Sequence, residues 1–265
     1  MGRTGIRLLG AAVLAAGLFA LVGLLLARHE PAGSRIGGHP APALFGAARI
    51  APLGAQLAAE KPIADRLFRI WAAQHPGRDD AGFTRFALAQ LPGPPDATTQ
   101  ATELAELRAL AGQRTKQGRR AASWLDVYGK VDIWTTYVTD VQRPGSRAGE
   151  LSELKQTTRL AKTIVALAQT HFARPGPKVV DPSLKPGSNR PGKLSYPSGH
   201  ASYVFAELTV LSAQQPRRRD EFVRTANEVA YSRLYAAGHY RSDLLAGALL
   251  GDLIGDYEIS LHLEH

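Results

Sequence analysis

Apolar side chains recur at helical spacing along most of this chain, and this periodicity is the strongest constraint on its fold. The clearest case is 148–173, where one predicted helix face carries Leu151, Leu154, Thr158, Ala161, Val165, Ala168 and Phe172. The same spacing predicts further helices over 48–60, 62–75, 81–91, 97–114, 120–140, 198–214, 217–237 and 240–257. Because no segment shows the alternating pattern of a strand, the sequence predicts an all-α fold.

The composition limits the class of protein. The chain has 265 residues, of which 45% are hydrophobic and 21% charged, so it is long enough to bury a sizeable core. It contains no Cys, which excludes disulfides, thiolate metal sites and a Cys nucleophile. The net charge of +9 is spread over short basic clusters without a zinc-finger or RNA-binding signature, and we therefore expect no nucleic-acid partner.

Residues 1–28 have the pattern of an export signal. Arg3 and Arg7 precede an uncharged apolar run over 8–27, and such a run is close to the ~20 residues that span a bilayer. No small-x-small cleavage site follows it. Both a cleaved signal peptide and an uncleaved anchor in the inner membrane therefore remain open. In either case we expect the rest of the protein outside the cytoplasm, in the periplasm or an equivalent compartment.

Two other segments depart from the helical pattern. Residues 29–46 are rich in Pro, Gly, Ala and His and are predicted to form a tether. One all-α domain is predicted over 47–262. Within this domain the segment 174–197 is rich in Pro and Gly, which predicts a long loop. A loop of this length inside a helical domain usually has a function.

The loop ends in Pro197-Ser198-Gly199-His200, at the start of a predicted helix. The first backbone N–H groups of a helix lack intrahelical partners, and the helix dipole adds positive potential there. This helix start is therefore a candidate anion site with His200 at its edge. An ordinary capped helix with a surface histidine is the alternative.

A second candidate group consists of Arg233, His239 and Asp243. His239 and Asp243 are four residues apart at the start of the last predicted helix, which places both on one face. Asp243 can then accept a hydrogen bond from one imidazole nitrogen and leave the other nucleophilic. Arg233 offers a planar fork that suits a phosphate. A surface cluster of ion pairs is the alternative.

Together, Pro-Ser-Gly-His and Ser-Arg-x5-His-x3-Asp resemble the last two motifs of the type 2 phosphatidic acid phosphatase superfamily. Within it, the chain is most similar to the bacterial class A non-specific acid phosphatases, which are secreted and helical. Leu91-Pro92-Gly93-Pro94-Pro95 and the stretch from Glu103 to Thr115 also look like theirs. The resemblance covers 88–257 and implies a helical bundle of the acid phosphatase/vanadium haloperoxidase type.

The resemblance also implies a role for each motif residue. His239 is expected to attack phosphorus and form a phosphohistidine, with Asp243 orienting it. His200 is expected to protonate the leaving alkoxide. No cofactor and no metal are implied. The residues expected to hold the phosphoryl oxygens are Arg233, Ser198 and Gly199.

The first motif of the superfamily, Lys-x6-Arg-Pro, is incomplete. In one alignment Arg174-Pro175 is kept and Leu167 replaces the Lys, on a helix stripe that predicts Leu167 to be core. In the other, Gln169 replaces the Lys and Gly176 replaces the Arg. We expect Arg174 to be the surviving phosphate ligand. Other cations of the helix and loop that could reach the site are Lys162, Lys178, Lys185, Arg190 and Lys193.

These features favour an exported phosphomonoester hydrolase acting on small substrates. One alternative is a membrane-anchored phosphatase for lipid phosphates or diphosphates, held near its substrate by 8–27. A second is a degenerate phosphate-binding homologue with weak activity. The intact His200, His239 and Asp243 argue against it, because a binding protein needs no oriented nucleophile. A vanadium haloperoxidase is a minor fourth possibility.

Overall fold

The computed structural model describes residues 35–36, 39–40, 44–139, 147–184 and 193–262. The helices in these ranges are α1 (Ala47–Ala58), α2 (Lys61–Ala72), α3 (Asp80–Gln90), α4 (Ala97–Gly112), α5 (Lys116–Tyr128), α6 (Asp132–Thr139), α7 (Arg147–Phe172), α8 (Pro177–Val180), α9 (Gly199–Gln214), α10 (Arg219–Tyr235) and α11 (Arg241–His262). A 3-10 turn at Pro216–Arg218 precedes α10. These helices confirm the all-α class.

The segment before α1 contains one short pairing of strands. β1 (Arg35–Ile36) and β2 (His39–Pro40) form an antiparallel pair within the predicted tether. The apolar run 8–27, predicted as signal or anchor, lies outside the described residues. Within the described ranges, no helix has the length and apolar character to cross a membrane.

The prediction of one helix over 120–140 is wrong. The chain leaves helical geometry after Tyr128 and begins a new helix at Asp132. At the junction the N–H of Gly129 donates to the Leu125 carbonyl, at 2.9 Å. The Gly129 carbonyl accepts from the indole N–H of Trp134, at 3.0 Å. These bonds give both backbone groups of Gly129 a partner within the turn. The chain can therefore leave helical geometry here, although the apolar spacing in the sequence continues across the break.

The face predicted along α7 is confirmed, but one residue assigned to the core is not. Thr158, Ala161 and Ala168 are buried on this face. Leu167 is 48% exposed, so its prediction as core is wrong. Successive helical residues are about 100° apart, and Leu167 is therefore turned away from the buried stripe that includes Ala168.

The close packing of α9 against α11 brings the two motif-bearing helix starts together. A Cβ at Gly247 of α11 would lie 2.7 Å from Ala201 Cβ and 2.8 Å from the Ser198 carbonyl oxygen. Glycine is needed at this position because the backbones approach too closely for a side chain. The Ser198 N–H also donates to the Asp243 carbonyl, at 2.8 Å. The first turns of α9 and α11 are therefore side by side.

The segment predicted as a long loop leaves the end of α7 and returns to the start of α9. Its two ends pair with each other: the Ser195 N–H donates to the Arg174 carbonyl and the Gly176 N–H to the Lys193 carbonyl, each at 3.0 Å. The segment also contains α8, a short helix that the sequence did not predict. Residues 185–192, which include two of the alternative cations, lie outside the described ranges.

Candidate active site

Ser198 and Gly199 lie where the returning loop becomes α9. Ser198 is fully buried and is the N-cap of this helix, its hydroxyl accepting from the Ala201 N–H at 3.4 Å. Gly199 and His200 are the first two helical residues, and such positions have backbone N–H groups without intrahelical acceptors. The structure thus has a capped helix start at this position, which is the type of backbone geometry at which anions can bind, and the anion site itself stays a prediction.

His239 lies in the turn between α10 and α11, with its side chain 13% exposed. Its Nδ1 is 2.9 Å from the carbonyl oxygen of Ser195. Because a carbonyl only accepts, Nδ1 carries the proton, and Nε2 keeps a free lone pair. The nearest Asp243 oxygen is 3.6 Å from Nδ1. The acceptor for the Nδ1 proton of His239 is therefore the Ser195 carbonyl and not Asp243, as was expected. Asp243 contributes negative charge nearby.

Asp243 is completely buried and accepts hydrogen bonds on both oxygens. Oδ2 accepts from the Tyr240 N–H at 2.8 Å, which satisfies a backbone donor at the start of α11. Oδ1 accepts from Nη1 of Arg174 at 2.6 Å. Asp243 therefore holds the first turn of α11, and with it the backbone next to His239.

Arg174 is 3% exposed and is surrounded by protein acceptors. Besides Asp243, its guanidinium donates to Ser242 Oγ at 2.7 Å and to Glu103 Oε2 at 3.0 Å. It also lies over the Tyr240 ring, 4.1 Å from the centroid. We call Arg174, Glu103, Ser242, Asp243 and Tyr240 the Arg174 network. The Arg174 side chain is turned into the protein, and its donors are directed to the groups that fix α11, so its role as a phosphate ligand stays a prediction.

Glu103 completes this network from α4. Its Oε1 accepts from the Ser242 N–H at 2.6 Å, and its Oε2 accepts from the Ser242 hydroxyl at 2.8 Å. Glu103 is 7% exposed. The carboxylate therefore joins Arg174 to the first turn of α11, and α4 contributes to the position of the turn that carries His239.

Arg233 forms a different network with Asp126 of α5. Its Nη1 donates to Asp126 Oδ1, its Nη2 to the Ala122 carbonyl at 2.6 Å, and its Nε to Ser232 Oγ at 3.1 Å. Asp126 Oδ1 is also 3.2 Å from Nε2 of His200. We call Asp126, Arg233 and His200 the Asp126 network. It links two sequence-predicted site residues through a carboxylate that the motifs did not include.

The charges of this network are strongly coupled. Burial would raise the pKa of Asp126, but the hydrogen bond from His200 and the charges of Arg233 and Lys130 lower it to about 2. Burial lowers the pKa of His200 to about 3; Arg233 adds to this effect and Asp126 opposes it. At neutral pH the unliganded site therefore contains an ionised Asp126 and a neutral His200.

Gln169 is an α7 residue that contacts the segment before α9. Its side-chain amide donates to the Pro197 carbonyl at 3.0 Å, next to Ser198. Leu167 is exposed instead. Gln169 is therefore nearer to the site than Leu167 is, whereas the burial of Arg174 against Asp243 agrees with the alignment that keeps Arg174-Pro175, and both alignments stay open.

Sequence reasoning missed Asp126, Ser195 and the role of Glu103. Glu103 lies in the stretch that resembles the acid phosphatases, and this could have identified it. Asp126 has no such signal, because its partner His200 is 74 residues away along the chain. In the part of the chain that the structure describes, no three His, Asp or Glu side chains cluster as metal ligands would.

Comparison with known proteins agrees with the motifs. Residues 155–260 match the family model of the PAP2 superfamily. The superfamily resemblance predicted from the sequence is thereby confirmed, over a range that includes α9, α10 and most of α11. It covers Arg174, Gln169 and all the motif residues, while Asp126 and Glu103 lie outside it.

Two curated relatives are similar over a short region. The non-specific acid phosphatases of Salmonella typhi and Salmonella typhimurium are each 40% identical over 57 residues, or 22% of this chain. The chain spans 23% of the length of each relative in this match. A solved structure, the transmembrane PAP2-type phosphatidylglycerolphosphate phosphatase from Bacillus subtilis, is 16% identical with a TM-score of 0.48. The match covers 69% of this chain and 93% of that one.

Proposed function

We propose that this protein is a phosphomonoester hydrolase of the acid phosphatase type that works through a phosphohistidine on His239. The hydrogen bond from His239 Nδ1 to the Ser195 carbonyl carries this proposal. It leaves Nε2 unprotonated in a turn that adjoins the anion-binding start of α9. A nucleophile beside donors for a phosphoryl group is the arrangement that phosphoryl transfer requires.

In the proposed first step, the Nε2 lone pair of His239 attacks phosphorus and the bond to the ester oxygen breaks. The leaving alkoxide takes a proton from His200. Arg233 and the N–H groups at the start of α9 stabilise the negative charge on the other oxygens. In the second step, water attacks phosphorus and gives its proton to His200 while the P–N bond breaks. Free phosphate and the neutral His239 are then restored.

The lowered pKa of His200 adds a condition to this mechanism. A histidine that is neutral in the empty site cannot be the acid until it gains a proton. The substrate supplies compensating negative charge beside it, and a phosphomonoester itself carries a proton below its second pKa of about 6. We propose that the proton enters with the substrate, which places the highest kcat/KM on the acidic side of neutrality.

The proposed substrates are small phosphomonoesters, and the proposed location is outside the cytoplasm. The name of the Salmonella relatives, non-specific acid phosphatase, supports the first part over the matched region. The basic-then-apolar pattern of 1–28 supports the second. No metal is proposed to take part, since His239 and Arg233 provide the nucleophile and the positive charge.

Substitution of the nucleophile is the decisive test. We expect His239→Ala to remove hydrolysis of p-nitrophenyl phosphate, because it removes the nitrogen that is proposed to attack phosphorus. Phosphohistidine is hydrolysed in acid and survives in alkali. The phosphoenzyme should therefore be trapped by quenching the reaction in alkali. His171→Ala, an exposed histidine of α7, is the matched control and should retain full activity.

Near-normal turnover by His239→Ala would refute the mechanism. Activity that EDTA removes and a divalent metal restores would refute its metal-free form. Vanadate should inhibit, because it adopts the trigonal bipyramidal shape of the transferring group. Vanadate-dependent oxidation of halide, with no phosphatase activity, would instead identify a haloperoxidase.

A further inference from the structure

A cavity of about 420 Å³ lies between α1, α2, α9, α10 and α11, away from the residues discussed so far. Its volume is within the range of small-molecule sites. On α11, Asp252 of this cavity is nine residues beyond Asp243, which is about 13 Å along the helix axis. The cavity is therefore separate from the candidate active site. Its apolar wall consists of Leu57, Phe205, Leu208, Val223 and Ile259.

Two buried polar groups on the cavity wall have incomplete hydrogen bonding. Asp252 is 2% exposed, and its Oδ1 accepts from Thr209 Oγ1 at 2.8 Å. Among the described residues, Thr209 is the hydrogen-bond donor found for this carboxylate, and it leaves Oδ2 available. The buried hydroxyl of Ser212 has no hydrogen-bond partner in the described part of the chain. Buried polar atoms normally have partners, so these two leave room for a ligand with matching groups.

The neighbouring lysine does not satisfy Asp252. Lys61 donates to the two oxygens of Asp256, at 2.9 and 3.2 Å, and to Asp65. These bonds hold the Lys61 ammonium group on the carboxylates of Asp256 and Asp65. Asp252, Asp256 and Asp65 give three potential negative charges, against the positive charges of Lys61 and of Arg219 on the cavity rim. When all three carboxylates are ionised, the local excess is one negative charge, which a single cation would balance.

We propose that this cavity is a second ligand site, which binds a small primary amine with a compact apolar body. The ammonium group would donate to Asp252 Oδ2 and to Ser212 Oγ, and the hydrocarbon part would contact Leu208 and Val223. This site is additional to the proposed phosphatase activity and does not depend on it. The partner is defined by its chemistry: one positive charge, at least two N–H donors, and an apolar group of the size of a phenyl ring.

The titration of Asp252 gives the proposal a distinctive pH dependence. Burial raises the pKa of Asp252 to about 8; Thr209 and Lys61 oppose this shift, while Asp256 and Asp65 add to it. The empty site is therefore mostly protonated at pH 6, and an amine must displace that proton to pair with the carboxylate. Affinity should rise by up to about tenfold per pH unit between pH 6 and 8, and then level off.

The test compares benzylamine with benzyl alcohol, which has nearly the same shape but no charge. Isothermal titration of the full chain at pH 8 should show benzylamine binding at one site, at least tenfold more tightly than benzyl alcohol. Asp252→Asn keeps the size of the side chain and its acceptor for Thr209, and it should abolish the preference for the amine. Asp220→Asn makes the same charge change at an exposed position of α10 and should leave binding unchanged.

A second variant protects the test against a fold defect in Asp252→Asn. Val223→Phe fills the apolar side of the cavity and should weaken both probes without changing the charge, while circular dichroism confirms that each variant is folded. Absence of benzylamine binding to the folded wild-type chain would overturn the proposal. Equal binding of the alcohol, or an unchanged amine preference in Asp252→Asn, would also overturn it.

Discussion

Two buried arginines flank the turn that carries His239, and they are used in different ways. In the Asp126 network, Arg233 meets a carboxylate that also contacts the imidazole of His200. In the Arg174 network, the arginine meets two carboxylates that bind backbone and hydroxyl groups at the start of α11. Both arginines are almost fully buried, at 2% and 3% exposure. Only the first network includes a histidine of the candidate site.

This difference separates control of protonation from control of position. A change in the charge of Asp126 acts directly on the pKa of His200, because the two groups are in contact. A change in Glu103 acts on His239 indirectly, through Arg174, Asp243 and the backbone of α11. Buried ion pairs of either kind are costly to break, since the remaining charge stays desolvated. Activity and stability should therefore respond differently when each network is neutralised.

The largest effect is expected from Asp126→Asn. It removes the negative charge that opposes the low pKa of His200 and that pairs with Arg233, so the proposed acid becomes harder to protonate. We expect kcat/KM for p-nitrophenyl phosphate to fall by about 100-fold, or about 2.7 kcal/mol. The part of the pH profile that reports His200 protonation should shift to lower pH. A substrate with a poorer leaving group should lose more activity, because it depends more on the acid.

Glu103→Gln is the matched neutralisation in the other network. It should reduce the free energy of unfolding by about 2 kcal/mol, because Arg174 loses one of two carboxylates. Its pH profile should coincide with that of the wild type, and its activity should fall less than that of Asp126→Asn. If both variants shift the pH profile equally, the distinction between the networks is wrong.

Arg174→Ala is expected to have the next largest effect on activity. It leaves Glu103 and Asp243 buried without their cation and loosens the first turn of α11. We expect a loss of at least tenfold in kcat/KM, about 1.4 kcal/mol, together with a lower melting temperature. Arg66→Ala, at an exposed position of α2, is the control and should change neither quantity.

The division of this loss identifies what Arg174 does. A positioning residue should affect mainly kcat, since His239 would be misplaced for attack while the phosphate donors of α9 remain. A direct phosphate ligand should affect KM as well, and added guanidinium should restore part of the activity. Unchanged activity in a destabilised Arg174→Ala would contradict both roles and leave the residue a purely structural one.

The sequence predicted the parts of the site that are local and missed those that depend on distant contacts. Ser198, His200, His239 and Asp243 lie at helix starts, where capping residues and motif spacing are visible in the sequence. Asp126 lies within α5, and only the packing of this helix against α9 and α10 places its carboxylate between His200 and Arg233. Such a contact between separate helices leaves no periodic signal.

The same reasoning explains the errors along the helices. Leu167 fits an i, i+3 apolar stripe with Leu160 and Ile164, and both of those are buried. The buried face of α7 also includes Ala161, Val165 and Ala168, but it does not extend to Leu167. The break at Gly129 was missed because apolar residues continue on both sides of it. The helical class was predictable because the helical spacing of apolar residues recurs along most of the chain. The exposure of Leu167 and the break at Gly129 depend instead on which helix faces pack against other helices.

A lysine at position 169 tests whether the site can accept a cation that belongs to neither network. Gln169 donates to the Pro197 carbonyl, so its side chain already reaches the segment before Ser198. We expect Gln169→Lys to raise kcat/KM by a few-fold, about 1 kcal/mol, through added charge near the phosphoryl oxygens. Leu167→Lys introduces the same charge at an exposed position and should have no effect. The reverse result would restore the alignment that places Leu167 at the Lys position.

The smallest effect concerns Ala237, in the turn that joins the two networks. Ala237 has φ of 53°, a left-handed conformation that disfavours a Cβ, and it lies between Arg233 and His239. Ala237→Gly removes this cost but adds freedom to the unfolded chain, so a net gain in stability of about 0.5–1 kcal/mol is expected. Thermal unfolding measures this gain, and Ala173→Gly, with φ of 48° just before Arg174, should give a similar one.

If the turn transmits position between the networks, Ala237→Gly should also lower kcat slightly, because a glycine there holds His239 less firmly. A gain in stability without any loss in kcat would mean that the two networks fix His239 independently of the turn.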